Sequence, residues 1–202
     1  MATATSSRNE HRGRWAIRSA AAAVLALLAA FAIGAANQSS PANHGAFAWL
    51  HPADAPNDWN VAVTPGGARF AYPPGWQPIQ TDPGTASAAP HGPRGAFRGY
   101  LNATPQSGTE TLANWRHFRI EHVADEGAHN VWLDRAAENL HFRSGRGSCV
   151  VDSYSTDKER FREIACIVAG ADSTTVIVAA APVSQWRERA PQLERAVASF
   201  EA

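Results

Sequence analysis

The chain has 202 residues, of which 45% are apolar and 18% are charged, with 18 basic and 18 acidic side chains. This length fits one or two domains. The composition excludes a disordered chain, which is poor in apolar residues, and the presence of only two cysteines excludes a disulfide-dense mini-protein. The zero net charge argues against nucleic-acid binding, which usually requires a basic surface.

The neutral total combines two unlike parts of the chain. Residues 1–36 hold four arginines and one glutamate, which leaves 14 basic and 17 acidic side chains for residues 37–202. The larger part is therefore mildly acidic. The positive charge of the smaller part is concentrated before its apolar run.

That apolar run occupies residues 19–36, carries no charge and follows the arginine-bearing residues 8–18. Positive charge on the N-terminal side keeps that end in the cytoplasm and sends the following chain across the membrane. The 18 residues lie between the apolar core of a signal peptide, about 7–15 residues, and a spanning helix, about 17–25. The polar extension 1–18 favours an uncleaved single-pass anchor. The alternative is secretion after cleavage at Ala36, where Gly34 and Ala36 form a small-residue site.

Residues 37–58 are rich in Asn, Ser, Pro and Ala without a sustained period, which predicts a flexible linker. Within it, the apolar residues 46–50 offer a short segment that docks either on the membrane or on the domain. The remaining residues, 59–202, form the predicted extracytoplasmic domain. Its tryptophans are expected to be core anchors, at positions 59, 76, 115, 132 and 186.

The domain pattern predicts an α+β fold in which two helices flank a mostly antiparallel sheet, an α/β/α sandwich. Thr109 is the expected N-cap of the first helix, which ends at Gly127, and Arg119 is expected on its solvated face. The main part of the last helix is expected to begin near Ala190, with Pro191 at its first position. Strands are predicted at residues 68–72, 76–80, 84–89, 97–103, 130–142, 148–155, 160–169 and 174–181.

Two of these strands form the most informative motif, a hairpin with Asp157 and Lys158 as its loop. In that register Cys149 lies opposite Cys166, within the Cα separation of about 5.5 Å that a disulfide requires. An exported location favours oxidation. We therefore predict a structural disulfide between the two cysteines.

The same register places Asp152 opposite Glu163, and like charges in that position destabilise a sheet. Either one carboxyl group is protonated or a cation neutralises the pair, with Arg135 or Arg143 as the expected structural partner. Such a pair is also able to bind a ligand or a hard cation, or to act in acid–base catalysis. We expect the structural role, and the functional roles stay open as alternatives.

Other chemistry finds little support in the sequence. A phosphate-binding loop and a G-x-S-x-G nucleophile motif are both missing from the sequence. His117 and Glu121 are four residues apart, which suits a shared metal, but a solvated helix surface is the expected reading. We predict no catalytic residue, no metal site and no cofactor.

The Tyr72-Pro73-Pro74-Gly75-Trp76 element, the central hairpin, and a last helix ending in Ser199-Phe200 resemble the PsbP/Mog-like fold over residues 59–202. The family includes small actinobacterial envelope proteins, and the arginine- and alanine-rich composition agrees with that origin. The resemblance implies a non-catalytic binding or assembly domain. It supplies no active site to carry over.

Together these features predict a membrane-tethered or secreted envelope protein that binds an unidentified protein partner and no nucleic acid. One alternative is an envelope hydrolase or a ligand- or cation-binding protein that uses Asp152 and Glu163. Another is a purely structural accessory subunit. An enzyme requires an open pocket that reaches these carboxyl groups, whereas a binding module requires an exposed apolar or charged patch.

Overall fold

Nine strands and two helices make up the part of the chain that the computed structural model describes, residues 44–90 and 98–202. The helices are α1, Trp115–Asp125, and α2, Trp186–Ala198. Short 3₁₀ turns lie at His44–Phe47 and Val183–Gln185. The strands are β1 (Asn60–Val63), β2 (Arg69–Tyr72), β3 (Trp76–Pro78), β4 (Ala86–Pro90), β5 (Tyr100–Pro105), β6 (His129–Phe142), β7 (Gly145–Ser155), β8 (Arg160–Ala169) and β9 (Thr174–Pro182).

Strands β3 to β9 form one antiparallel sheet in the order β3-β4-β5-β9-β8-β7-β6, and β1 and β2 form a separate ribbon. Strand β6 is therefore an edge of the large sheet. The predicted strands are confirmed with small shifts at their ends, whereas β1 falls in a stretch where no strand was predicted. Its residues Val61 and Val63 are exposed, so this strand lacks the alternation of buried apolar and exposed polar residues that predicts a strand.

The predicted hairpin is present as β7 and β8, with Cys149 opposite Cys166, Val151 opposite Ile164 and Tyr154 opposite Phe161. The two cysteines form the predicted disulfide. Because neighbouring residues of a strand point to opposite faces, the two faces of this hairpin carry two different sets of side chains.

The two helices cover opposite faces of the sheet. One face carries Cys149, Ile164 and Ile177, and it joins Leu193 and Val197 of α2 in the largest apolar cluster. The opposite face carries a smaller apolar cluster that includes Trp115 of α1, with Val150, Ala165, Ile167 and Val178 of the sheet. We call these the α2 face and the α1 face. The predicted three-layer arrangement is thus the observed one.

Helix α1 begins at Trp115, six residues after the predicted N-cap Thr109. Glu110, which was expected in the first helical turn, instead accepts a hydrogen bond from the backbone N–H of Ser107 at 2.9 Å and is buried in the preceding loop. The helix ends as predicted before Gly127, whose φ of +92° favours glycine.

Helix α2 begins at Trp186 and not near Ala190. Trp186 packs against the main core, and Arg162 lies over its ring at 5.4 Å, so the helix starts directly after the 3₁₀ turn. Pro191 consequently lies in the second helical turn, beyond the first position where it was expected.

Residues 44–58 pack on the domain, although they were predicted as part of the linker 37–58. Phe47 and Leu50 are buried in the main core, and the backbone N–H of Ala53 donates to the carbonyl of Ala198 at 3.1 Å. The docking of residues 46–50 on the domain is therefore the alternative that the structure shows. The domain begins no later than His44.

The predicted anchor at 19–36 lies outside the described residues. Within residues 44–90 and 98–202, neither helix has the length and apolar character needed to cross a membrane.

The sheet has two ends, which we call the entry end and the far end. The entry end holds the β6–β7 and β8–β9 turns and the C-terminus of α2, and residues 44–58 attach there through Ala198 and Arg143. The far end holds the β7–β8 turn, the C-terminus of α1 and the start of β6. The strands run between these two ends.

Replacing both cysteines by alanine, as Cys149→Ala with Cys166→Ala, is expected to lower the free energy of unfolding by about 3 kcal/mol. The reason is that the disulfide closes a loop with a sequence separation of 17 residues. Denaturant unfolding followed by circular dichroism measures the change. Equal unfolding midpoints for the variant and the oxidised wild type would contradict it.

Candidate functional site

Two carboxyl groups lie side by side in the interior of the domain. Asp152 of β7 is directly opposite Glu163 of β8, as the register predicts, and both are 0% exposed. Side chains in such cross-strand positions have Cβ atoms about 4.5–5.5 Å apart. Both residues point to the α1 face, because they alternate with Val151 and Ile164 of the α2 face.

The cation that faces this pair comes from helix α1. The Nε and Nη2 atoms of Arg119 lie 2.7 Å and 2.6 Å from Oε1 of Glu163, and the Arg119 side chain is 9% exposed. The prediction that Arg119 is solvated is therefore wrong. We call Arg119, Asp152 and Glu163 the buried charge cluster.

The predicted partners Arg135 and Arg143 are not part of this cluster. Arg135 lies opposite Val151, so it is on the α2 face and cannot reach Asp152. Arg143 contacts Asp54 and, at 2.9 Å, Glu201. Arg135 belongs to β6 and lies on the wrong face of the sheet. Arg143 belongs to the β6–β7 turn and lies at the wrong end of the sheet.

The spacing of α1 explains why Arg119 is buried. Trp115, Arg119 and Val123 follow one another at steps of four residues and are all buried, so they form the stripe that faces the sheet. The indole N–H of Trp115 donates to the carbonyl of Ala165 at 2.9 Å and fixes the start of this stripe on β8. This partner was not predicted from the sequence, although a charged residue at the central step, combined with an uncompensated carboxylate pair in the sheet, is a signal that points to it.

Asp152 is the neutral member of the cluster. Burial, together with the charge of Glu163, raises the pKa of Asp152 from its usual 3.8 to about 9. A hydrogen bond between the Asp152 and Glu163 side chains raises this pKa further, because it is made by the protonated form of Asp152. At neutral pH the cluster therefore consists of an Arg119–Glu163 ion pair beside a protonated carboxyl group.

Two tyrosines adjoin the cluster toward the far end. Burial and the charge of Glu163 raise the pKa of Tyr100, and burial raises that of Tyr154, so both phenols stay neutral at physiological pH. Their hydroxyl groups are hydrogen-bonded to each other.

A cavity of about 280 Å³ lies beside these groups at the far end, and we call it the tyrosine cavity. Neither Asp152 nor Glu163 is on its wall, so Arg119 and the tyrosines separate the carboxyl groups from it. Its wall is formed by Tyr100, Arg119, Val123, Glu126, Gly127, Ala128, Tyr154, Thr156 and Asp157.

The predicted reading of His117 and Glu121 agrees with their positions. Their side chains are 3.0 Å apart on the exposed surface of α1, at 83% and 62% exposure. In residues 44–90 and 98–202 no group of three or more His, Cys, Asp or Glu side chains is arranged to hold a metal ion.

One tryptophan departs from the expected core position. Trp132 of β6 is 69% exposed, whereas Trp76 and Trp115 are buried as expected. It is on the α2 face near the far end, opposite Ser153, where α2 does not cover the edge strand. The alternation of β6 did not identify it because bulges interrupt the register between His129 and Leu140.

No protein-family model matches the sequence, and no curated protein matches it. Among solved structures, cyanobacterial PsbP (CyanoP) from Synechocystis sp. PCC 6803 has a TM-score of 0.55 at 12% identity, covering 72% of this chain and 92% of that chain. The domain has a PsbP-like fold. This confirms the predicted resemblance at the level of the fold.

Two further structures are similar at lower scores. A protein from Bacteroides thetaiotaomicron VPI-5482 has a TM-score of 0.43 at 14% identity, covering 72% of this chain and 48% of that one. The Pseudomonas aeruginosa protein PA94, a protein of unknown function described as a putative regulator, has a TM-score of 0.46 at 10% identity, covering 71% and 96%. The PsbP-like assignment depends on the CyanoP structure alone.

Asp152→Asn is expected to make the domain more stable at pH 8 and to flatten its stability against pH. Because the pKa of Asp152 is raised to about 9 in the folded chain, that chain holds one more proton than the unfolded chain between pH 4 and 9. Wild-type stability therefore falls as pH rises through this window, by at most about 1.4 kcal/mol per pH unit from this residue. Urea unfolding at several pH values measures the slope.

Two variants serve as controls for that experiment. Asp172→Asn, at an exposed residue of the β8–β9 turn, is expected to keep the wild-type slope. Glu163→Gln removes the ionised partner of Arg119, and it is expected to destabilise the domain by up to about 3–5 kcal/mol. An Asp152→Asn variant with the wild-type slope would show that Asp152 is ionised in the folded protein.

Proposed function

We propose that this protein is a non-enzymatic binding or assembly module of a bacterial, actinobacterial-type cell envelope. In this proposal residues 19–36 hold it in the membrane and the domain lies outside the cytoplasm. The positive flank at 8–18 supports that orientation. The Cys149–Cys166 disulfide supports an oxidising compartment.

The exposed Trp132 is the observation that carries the binding role. Large apolar side chains are costly to leave in water, and tryptophan is enriched among the residues that dominate protein interfaces. At 69% exposure Trp132 has the largest exposed fraction among the exposed large apolar residues of the described chain. In the part of the chain that the structure describes, the edge strand β6 has one side without a neighbouring strand, where a partner has access.

The position of the carboxyl groups favours binding over hydrolysis. A hydrolase that used Asp152 and Glu163 would require at least one of them to touch substrate. Both are 0% exposed, and the nearest cavity is lined by other residues. The buried charge cluster is better explained as a structural element that positions α1.

Trp132→Ala is expected to weaken partner binding by about 30-fold, which corresponds to about 2 kcal/mol for a dominant interface residue. The measurement is recovery of crosslinked partners from the native host, quantified by mass spectrometry. Circular dichroism is expected to be unchanged, because the side chain is largely in solvent.

Val63→Ala is the matched control. Val63 is 58% exposed on the β1–β2 ribbon, opposite Arg69, which pairs with Glu201 at the entry end. Its substitution is expected to leave partner recovery unchanged. Failure to recover any reproducible partner with the wild type would contradict the binding role, and equal recovery with Trp132→Ala would contradict the proposed surface.

The tether is tested by the mass of the exported chain. An uncleaved anchor gives the mass of the chain with residues 1–36 retained, and the protein fractionates with membranes. A mature chain that begins at Asn37 would contradict the anchor and support secretion. Intact-mass spectrometry of the protein from its native host distinguishes the two.

A further inference from the structure

We propose that the tyrosine cavity receives a lysine side chain of the protein partner. This inference rests on the proposed function and names the chemistry of the partner. Three properties of the cavity support it, namely its charge, its size and its position across the edge strand β6 from Trp132.

The charge of the cavity favours a cation. Arg119 is on the wall, but two of its nitrogens bind Glu163 at 2.6 Å and 2.7 Å, so its charge is already compensated. The remaining charged groups of the wall are the carboxylates Glu126 and Asp157. The wall also includes the C-terminal end of α1, where the helix dipole is negative.

Within residues 44–90 and 98–202, neither carboxylate is strongly neutralised. Glu126 lies 3.3 Å from Nε2 of His122, a contact on the exposed surface that is worth little in water. Asp157 is exposed in the β7–β8 turn. An anionic ligand in the cavity would be repelled by both carboxylates, whereas an ammonium group would neutralise their negative charge.

The size and the wall of the cavity suit a single aliphatic chain with an ammonium end. A volume of about 280 Å³ is just below the range of about 300–1,000 Å³ usual for small-molecule pockets. Val123 and Ala128 provide apolar contact for the methylene groups, and the tyrosine rings attract a cation. An ammonium group donates three hydrogen bonds in different directions, so it can serve two carboxylates at once. The planar guanidinium of arginine is better matched to one carboxylate.

The position of the cavity connects it with the proposed interface. Val131, the neighbour of Trp132, packs with Val123 and Tyr154, both of which line the cavity. Trp132 points to the α2 face, whereas Val131 and the cavity lie on the α1 face, so the two sites flank β6 from opposite sides of the sheet. Because β6 is an edge of the sheet in the described residues, one partner that lies along this edge contacts both faces.

The test is zero-length crosslinking of the full chain in its native envelope with a water-soluble carbodiimide. The reagent activates a carboxylate, a lysine amine of the partner attacks it, and an amide forms with release of the urea. We expect two crosslinked products, one at Glu126 and one at Asp157, and we expect both to contain the same partner lysine. Peptide mass spectrometry identifies the linked residues. Asp172, an exposed carboxylate at the entry end, provides the background level.

Matched variants make the test quantitative. Glu126→Gln and Asp157→Asn are each expected to lower partner recovery about fivefold at low salt, since each removes one charge at roughly 4 Å from the ammonium. Both effects are expected to shrink as salt is raised. Asp172→Asn is expected to leave recovery unchanged. All three side chains are exposed, so folding is preserved.

The outcomes separate this inference from the proposed function. If the partner is recovered in a Trp132-dependent way but amide links at Glu126 and Asp157 do not exceed the Asp172 background, the lysine site is wrong and the binding role stands. Links from the two carboxylates to different, scattered lysines would also overturn it. If no partner is recovered at all, the proposed function itself fails.

Discussion

Asp152 and Glu163 are held directly opposite each other inside the sheet. The position of helix α1 over this face of the sheet follows from that constraint. Two buried carboxylates cannot both be charged at this distance, so one keeps its proton and the other needs a cation. Arg119 supplies the cation from α1. The ion pair offers little net stability compared with apolar packing, because both charges have left water. Its main effect is to specify where the helix lies.

The position of α1 in turn creates the far end of the domain. Trp115 and Arg119 attach the helix to β8 at two points, which brings Val123 and Gly127 beside the β7–β8 turn. The tyrosine cavity is the space left between the helix end and that turn. The structural cluster and the proposed binding site are thus joined by one residue, Arg119, which faces both.

The sheet could be predicted because its strands follow local patterns in the sequence. Features that depend on contacts between distant parts of the chain could not be predicted in this way. The alternation of Val151, Asp152 and Tyr154, with a two-residue loop after them, defined the β7–β8 register and the disulfide. Arg119 was misplaced because its burial depends on a carboxylate 44 residues later in the chain. Residues 44–58 were misassigned because their composition resembles a linker, while Phe47 and Leu50 fill a core built by distant strands. The exposed Trp132 went unnoticed since bulges in β6 disturb the alternation.

The β7–β8 hairpin carries its disulfide on one face and its carboxyl pair on the other. A slip of one residue would exchange the two faces, placing Asp152 against the main core and moving Cys149 away from Cys166. Both errors occur together, so the thiols meet only when the carboxyl groups are also in their proper place. Oxidation therefore records the correct pairing of β7 and β8 in a covalent bond.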